Sequence, residues 1–272
     1  MEKHTISVDI AGKTLTFETG QIARQANSAV LARCGDTMVL ATVCASQDPL
    51  PEIDFLPLRV DYQEKFSSVG RTVSGFIKRE GKPTERETLT CRLIDRPIRP
   101  MIREGYHHDL QLLSYVWSYD SENSPDVLAI CATSAALALS DVPLIKPIAA
   151  VRIGFLDDQF LVNPTSEQQK QSKMDLVIAG TENAILMIEG LLEFLTEEQV
   201  LQAVELGQAA IKEICKTIHQ WQSLIGKEKN VATLRKTPQI VIDEVQKATK
   251  ESYKKACTIT DKAQRDSFVK EV

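Results

Sequence analysis

The chain has 272 residues, with 32 Lys and Arg against 37 Asp and Glu, a formal net charge of −5. Apolar residues at 43% and charged residues at 25% are ordinary globular values, which excludes disorder, collagen or a continuous coiled coil for the whole. A chain of this size buries about 75% of its extended surface on folding, so its core needs no staples. The acidic average speaks, by itself, against a nucleic-acid partner.

The cysteines at 34, 44, 91, 131, 215 and 257 form no CxxC pair, and the four histidines complete no zinc pattern. Scattered thiols in apolar surroundings read as reduced core residues of a cytoplasmic protein. The opening MEKHTISVDI alternates like a strand and lacks the apolar block of a signal peptide. The longest apolar run, VLAICATSAALAL at 127–139, is too short to span a bilayer.

Residues 4–10 and 13–18 alternate and predict a hairpin around Ala11-Gly12, closed by Gly20. Apolar, β-branched runs at 29–33 and 37–45 flank a Gly35-Asp36 turn, and 55–61 predict another strand. An opening antiparallel sheet is expected. Residues 66–83 are small, Gly-containing and basic, without a period; a long loop of this kind points to function. Thr84 and Glu87 form a capping box, and Leu89, Leu93 and Ile94 stripe a short helix that Pro97 and Pro100 end.

A strand is expected over 109–117, then a helix from Ser124-Pro125 to about Leu139. That helix is apolar all round and should be buried. Residues 148–155 and 159–162 flank a hairpin turn at Asp157-Asp158, and 174–179 with 184–188 make a last strand pair around Gly180-Thr181. Thr196 and Gln199 cap a long helix whose Val200, Val204, Gly207, Ile211, Ile214 and Ile218 keep helical spacing. The polar run 226–236 reads as a linker. After Pro238 helical spacing returns at Ile242, Val245, Ala248 and Tyr253, and Asp261 opens a further helix that the sequence leaves without a C-cap. The expected class is α+β: a layered β-α domain over 1–225, a linker over 226–237, and part of an all-α module over 238–272.

The charge is segregated. Residues 71–103 hold nine basic side chains against four acidic ones, a net +5, so the remainder carries −10. Seven of the nine are arginines, whose planar fork suits phosphate oxygens. Arg92, Arg96, Arg99 and Arg103 share one face if the helix runs that far. Phe76 stands two residues before Lys78-Arg79 on a glycine-bracketed loop, the combination that single-stranded RNA binding uses: stacking on bases, charge on backbone. The bland alternative is a solvated face with arginines paired to Asp95, Glu85 and Glu87.

Motifs for catalysis are absent: no GxGxxG, GxxxxGK[ST], GxSxG or HExxH occurs. His107-His108 reads as a surface pair. Ser134 reads as a core hydroxyl. Asp175 reads as a strand-start cap, with a metal carboxylate as the sharper alternative.

Several stretches resemble the polynucleotide phosphorylase family of bacterial 3′-to-5′ exoribonucleases. They are FETGQIARQANSAV (17–30), VDYQEKF…IKREGKPTERETLTCRLIDRPIRP (60–100), NSPDVLAICATSAALALSDVP (123–143), FLVNPT (160–165) and MDLVIAGTENAILMIEG (174–190). The resemblance implies the first ribonuclease-PH-like domain followed by the start of an all-α domain. It further implies polyribonucleotide nucleotidyltransferase activity in a longer chain. There, inorganic phosphate as co-substrate attacks the 3′-terminal linkage of RNA and releases a nucleoside diphosphate, in the service of mRNA degradation.

In that family the phosphate-binding serines and the Mg²⁺-binding Asp-x5-Asp-x-Lys lie in a second domain copy. Here the corresponding positions fall on Gln169, Asp175 and Val177, and the serines near Ser124-Pro125-Asp126. This copy is therefore expected to have no catalytic and no metal-binding residues. The resemblance leaves the RNA path: Phe76, Lys78 and Arg79 on a pore loop, with Ile77 in place of a second aromatic, and Arg92, Arg96 and Arg99 guiding RNA. Implied partners are single-stranded RNA, two further copies in a homotrimer, and proteins of an RNA-degradation complex; no membrane is implied. The competing readings are a stand-alone RNA-binding scaffold and a stand-alone phosphorolytic enzyme.

Overall fold

The computed structural model describes residues 2–76 and 78–272. Two compact units divide at Leu234/Arg235. Among the described residues, the first contains ten strands in two sheets.

The hairpin β1 (His4–Ile10) and β2 (Lys13–Thr19) turns through Ala11 and Gly12, both at positive φ. β3 (Ser28–Cys34) and β4 (Thr37–Ala45) form the next hairpin. Its turn requires Gly35: φ is +59°, and a Cβ would fall 2.7 Å from Asp120 Oδ2. Strands β5 (Leu58–Glu64) and β6 (Leu110–Ser118) complete a six-stranded sheet in the order β1-β2-β3-β4-β6-β5.

Two expectations change here. The strand expected over 55–61 begins only at Leu58, because Pro57 has no N–H for a ladder. And β5 runs parallel to β6, so the sheet is mixed. The parallel pairing follows from the crossover that α1 (Glu85–Ile98) makes between the two strands, packing on β5. Pro97 lies in the last turn of α1, and Pro100 in the 3₁₀ turn Arg99–Met101 that follows.

The second sheet has the order β10-β9-β7-β8, from β7 (Ala149–Leu156), β8 (Gln159–Val162), β9 (Met174–Gly180) and β10 (Ile185–Leu192). Asp157 and Asp158 both take positive φ in the β7–β8 turn. α2 (Pro125–Leu139) is buried along its whole length, as its all-round apolarity requires, and packs on β3, β4 and β6 of the first sheet and β7 of the second. Apolar packing is joined by a polar tie: Ser134 Oγ accepts from Ile148 N at 2.8 Å, so this core hydroxyl satisfies a buried donor.

α3 (Ser166–Gln171) was not expected; Thr165 and Gln168 give it a capping box, but its SEQQKQ sequence carries no apolar stripe. α4 (Glu197–Ile225) covers β7 and β9, with Gly207 where a Cβ would lie 2.7 Å from Ile178 Cδ1. After α4 the chain stays on this unit without regular structure. Lys227 N donates to Leu139 O, Asn230 N to Asp141 O, and Lys229 Nζ to the carbonyls of Leu137, Ala138 and Ser140, closing the C-terminal end of α2.

His108 corrects the surface reading of the histidine pair. It is 1% exposed, stacks on Tyr106 at 4.6 Å, and bonds Ser46 O and Thr233 Oγ1, both at 2.8 Å. Its partners come from segments far along the chain, so its burial had no local signature.

The second unit contains α5 (Gln239–Thr258) and α6 (Lys262–Glu271), which pack on one another. Asp261 caps α6 by accepting from Gln264 N at 2.8 Å. Among the described residues no helix is long and apolar enough to cross a membrane.

Candidate nucleic-acid interface and a closed carboxylate cluster

Two groups of chemistry-bearing residues stand apart in the first unit. The first is the basic tract. Its loop is pinned at the base by Glu80, which accepts from Lys65 Nζ at 2.8 Å, Gln63 Nε2 at 3.1 Å and Phe66 N at 3.3 Å. Glu87 pins the other end: its carboxylate accepts from Thr84 N at 2.7 Å, completing the capping box, and from Glu64 N at 2.8 Å. Burial works against the Glu87 charge, yet the bonds from Thr84 and Glu64 prevail and hold its pKa below the ordinary value. Between these anchors lies a 450 Å³ cleft lined by Lys65, Phe66, Lys82, Arg86 and Tyr119 among others.

From this base the loop projects outward. Phe76 is fully exposed, and Lys78 and Arg79 are exposed beside it. Ile77 lies outside the described residues. Arg92 is exposed on α1. Among the described residues, none of Lys78, Arg79 and Arg92 makes an ion pair, whereas Arg86, Arg96 and Arg99 do.

The paired arginines differ in kind. Arg96 reaches Glu189 on β10 at 2.5 Å, with both side chains about half exposed, so an incoming phosphate can compete for it. Arg99 is held from four directions: twice by Asp95, and by the carbonyls of Leu56 at 3.1 Å and Leu58 at 3.2 Å. Its fork is spent on fixing the entry to β5. The sequence grouped Arg92, Arg96 and Arg99 as equivalent; the structure separates one free, one exchangeable and one structural guanidinium.

The second group sits where α2, β7 and β9 converge. Arg152 of β7 bonds Asp126 Oδ2 at 2.5 Å and also pairs with Asp175. Burial works against the guanidinium charge, but Asp126 and then Asp175 outweigh it and raise its pKa. Gln169 Nε2 donates to Asp175 Oδ2 at 2.8 Å. Ser124 is the residue before α2, but its hydroxyl donates to Asp126 Oδ1 at 2.8 Å and does not cap the helix. Asp175 is thus no strand cap but half of an ion pair. Arg152 was missed from sequence, although an arginine inside the otherwise apolar AAVRIGFL is itself a signal of a buried partner.

A divalent cation does not fit this cluster. It takes about six oxygen ligands, and here both carboxylates are engaged by a fixed guanidinium, while Gln169 turns an N–H donor toward Asp175. No group of three or more metal-ligating side chains occurs among the described residues.

Two sheets around a buried central helix, with a basic loop and helix at the β5 edge, define a ribonuclease-PH-like α+β protein. The crystal structure of rice (Oryza sativa) Rrp46 shares this fold, with a TM-score of 0.61 over 76% of this chain and 94% of that one, at 17% identity. The family model of the 3′ exoribonuclease family, domain 1, matches residues 11–143, and that of domain 2 matches 146–210. The chain belongs to the 3′ exoribonuclease family. It is 58% identical over its whole length to a polyribonucleotide nucleotidyltransferase of Protochlamydia amoebophila, and 58% identical over 242 residues to that of Chlamydia felis. It spans 39% and 35% of the length of these two relatives.

Proposed function

We propose that this chain is the RNA-guiding half of a 3′-to-5′ exoribonuclease that degrades RNA by phosphorolysis, and that this half carries no catalysis of its own. The observation that carries the reading is the exposed set Phe76, Lys78, Arg79 and Arg92, whose three cations make no ion pair among the described residues, in a chain that is acidic elsewhere. Phe76 offers a stacking face, and the three cations offer backbone contacts along one track. Arg96 joins the track when phosphate displaces Glu189. Arg99 serves it by positioning α1 against β5.

Phosphate and Mg²⁺ act, in this reading, in a second domain copy. The second unit is the opening of an all-α module, the assembly is a homotrimer in the cytoplasm, and three basic loops around one axis focus the field on a single strand. Proteins of an RNA-degradation complex are further partners.

The test is fluorescence anisotropy of a labelled oligo(A) with the 272-residue chain and with Lys78→Glu, Arg79→Glu and Arg92→Glu combined. The reading predicts salt-sensitive binding by the parent chain and weaker, less salt-sensitive binding by the variant. Equal binding by both rules out the track.

A further inference from the structure

We infer that Arg152 is a built-in cation that closes a latent divalent-metal site formed by Asp126 and Asp175. The inference rests on the reading of this half as non-catalytic, and goes beyond it by naming the residue that shuts the site.

Three elements bring the carboxylates together. Asp126 lies in the first turn of α2 and Asp175 is the second residue of β9, while Arg152 reaches both from β7. The Arg152 and Asp126 side chains are only 8% and 10% exposed, and Asp175 is 38% exposed, so one side of the cluster opens to solvent. Two carboxylates this close, one of them buried, need a cation between them.

The remaining oxygens are also taken. Asp126 Oδ1 accepts from Ser124 Oγ at 2.8 Å and Val127 N at 2.7 Å, and Asp175 Oδ2 accepts from Gln169. The strand carrying Arg152 is held in register, since Arg152 N donates to Asn163 Oδ1 at 2.9 Å. The guanidinium uses its two terminal nitrogens, and its Nε has no partner among the described residues. A free divalent ion would have to displace a tethered charge whose effective concentration no solution ion matches. The guanidinium thus supplies the positive charge that the two carboxylates need.

Replacing the guanidinium should open the site. In Arg152→Ala with Gln169→Asp, three carboxylates face one solvent-accessible gap, a donor set suited to Mg²⁺ or Mn²⁺. The experiment measures Mn²⁺ binding by electron paramagnetic resonance and melting temperature with 1 mM Mn²⁺ or EDTA. The double variant is expected to bind about one Mn²⁺ and to melt several degrees higher with it. The parent chain should bind none at this site and melt at the same temperature in both buffers. A folded double variant that binds no Mn²⁺ overturns the inference.

If the double variant fails to fold even with Mn²⁺, paramagnetic broadening of the parent chain decides. Mn²⁺-induced loss of the Asp175 and Asp126 amide signals overturns the inference, and their persistence supports it. The parent chain's failure to bind metal is separable from its failure to cleave RNA. Metal binding without product overturns only this inference, and product without metal binding overturns only the reading beneath it.

Discussion

Arg152 and Asp126 meet at 2.5 Å with both side chains nearly inaccessible, and the same guanidinium holds Asp175, whose side chain is 38% exposed. The two pairs differ in what their loss costs. Asp126→Asn leaves the buried Arg152 charge without its main partner and should destabilise the first unit by about 3–5 kcal/mol. Asp175→Asn removes a pair that water can replace, at about 1 kcal/mol or less. Urea unfolding midpoints of the two variants check the order; equal shifts would refute it.

Removing charge from the free and the structural arginines should have opposite signatures. Lys78→Glu, Arg79→Glu and Arg92→Glu together should leave the melting temperature unchanged and make the salt slope of oligo(A) binding shallower by about 2, since each single-strand phosphate contact contributes about 0.7. Arg99→Ala should leave that slope in place and cost about 1–2 kcal/mol, because Asp95, Leu56 and Leu58 lose their donor. Anisotropy across a salt series and thermal melting separate the two.

Asp120 predicts an acid limb. Burial raises its pKa, but bonds from Asn123 N, the Asn123 side chain, Glu122 N and Thr37 Oγ1 outweigh this and hold it well below its ordinary 3.8. A depressed carboxylate stabilises the fold fully above the unfolded value and loses that contribution as pH falls through the folded one. Stability from this turn should therefore decline below about pH 4. Asp120→Asn should flatten the decline of melting temperature over that window; an unaltered acid limb would contradict the assignment.

Gly207 predicts a packing limit. A Cβ there meets Ile178 Cδ1 at 2.7 Å, with Ile153 and Val151 behind it. Alanine asks one flexible side-chain end to move, whereas valine should cost about 1–3 kcal/mol by overpacking α4 against the second sheet. Chemical denaturation of the two variants tests this, and a stabilised Gly207→Val would contradict it.

What the sequence disclosed follows the range of the interactions involved. The turns at Ala11-Gly12 and Asp157-Asp158 and the capping boxes at Thr84 and Thr196 are local, and their residues announce them. The capping box at Thr165 was equally local, but without an apolar stripe beside it no helix was legible. The parallel pairing of β5 with β6 depends on how α1 crosses over, which no window of residues contains. His108 is buried by Ser46 and Thr233, 62 and 125 residues away, and Arg152 is neutralised from 26 and 23 residues away. The basic tract was visible as a charge count. The division of its arginines into free and structural ones was not, because that division is made by the carbonyls of Leu56 and Leu58 and by Glu189.

The central claim is that this half holds RNA without cleaving it. Incubation of the 272-residue chain with poly(A), inorganic phosphate and Mg²⁺ tests it most directly, with ADP release as the readout. The account predicts retention of poly(A) and no ADP above background; robust ADP release would contradict it.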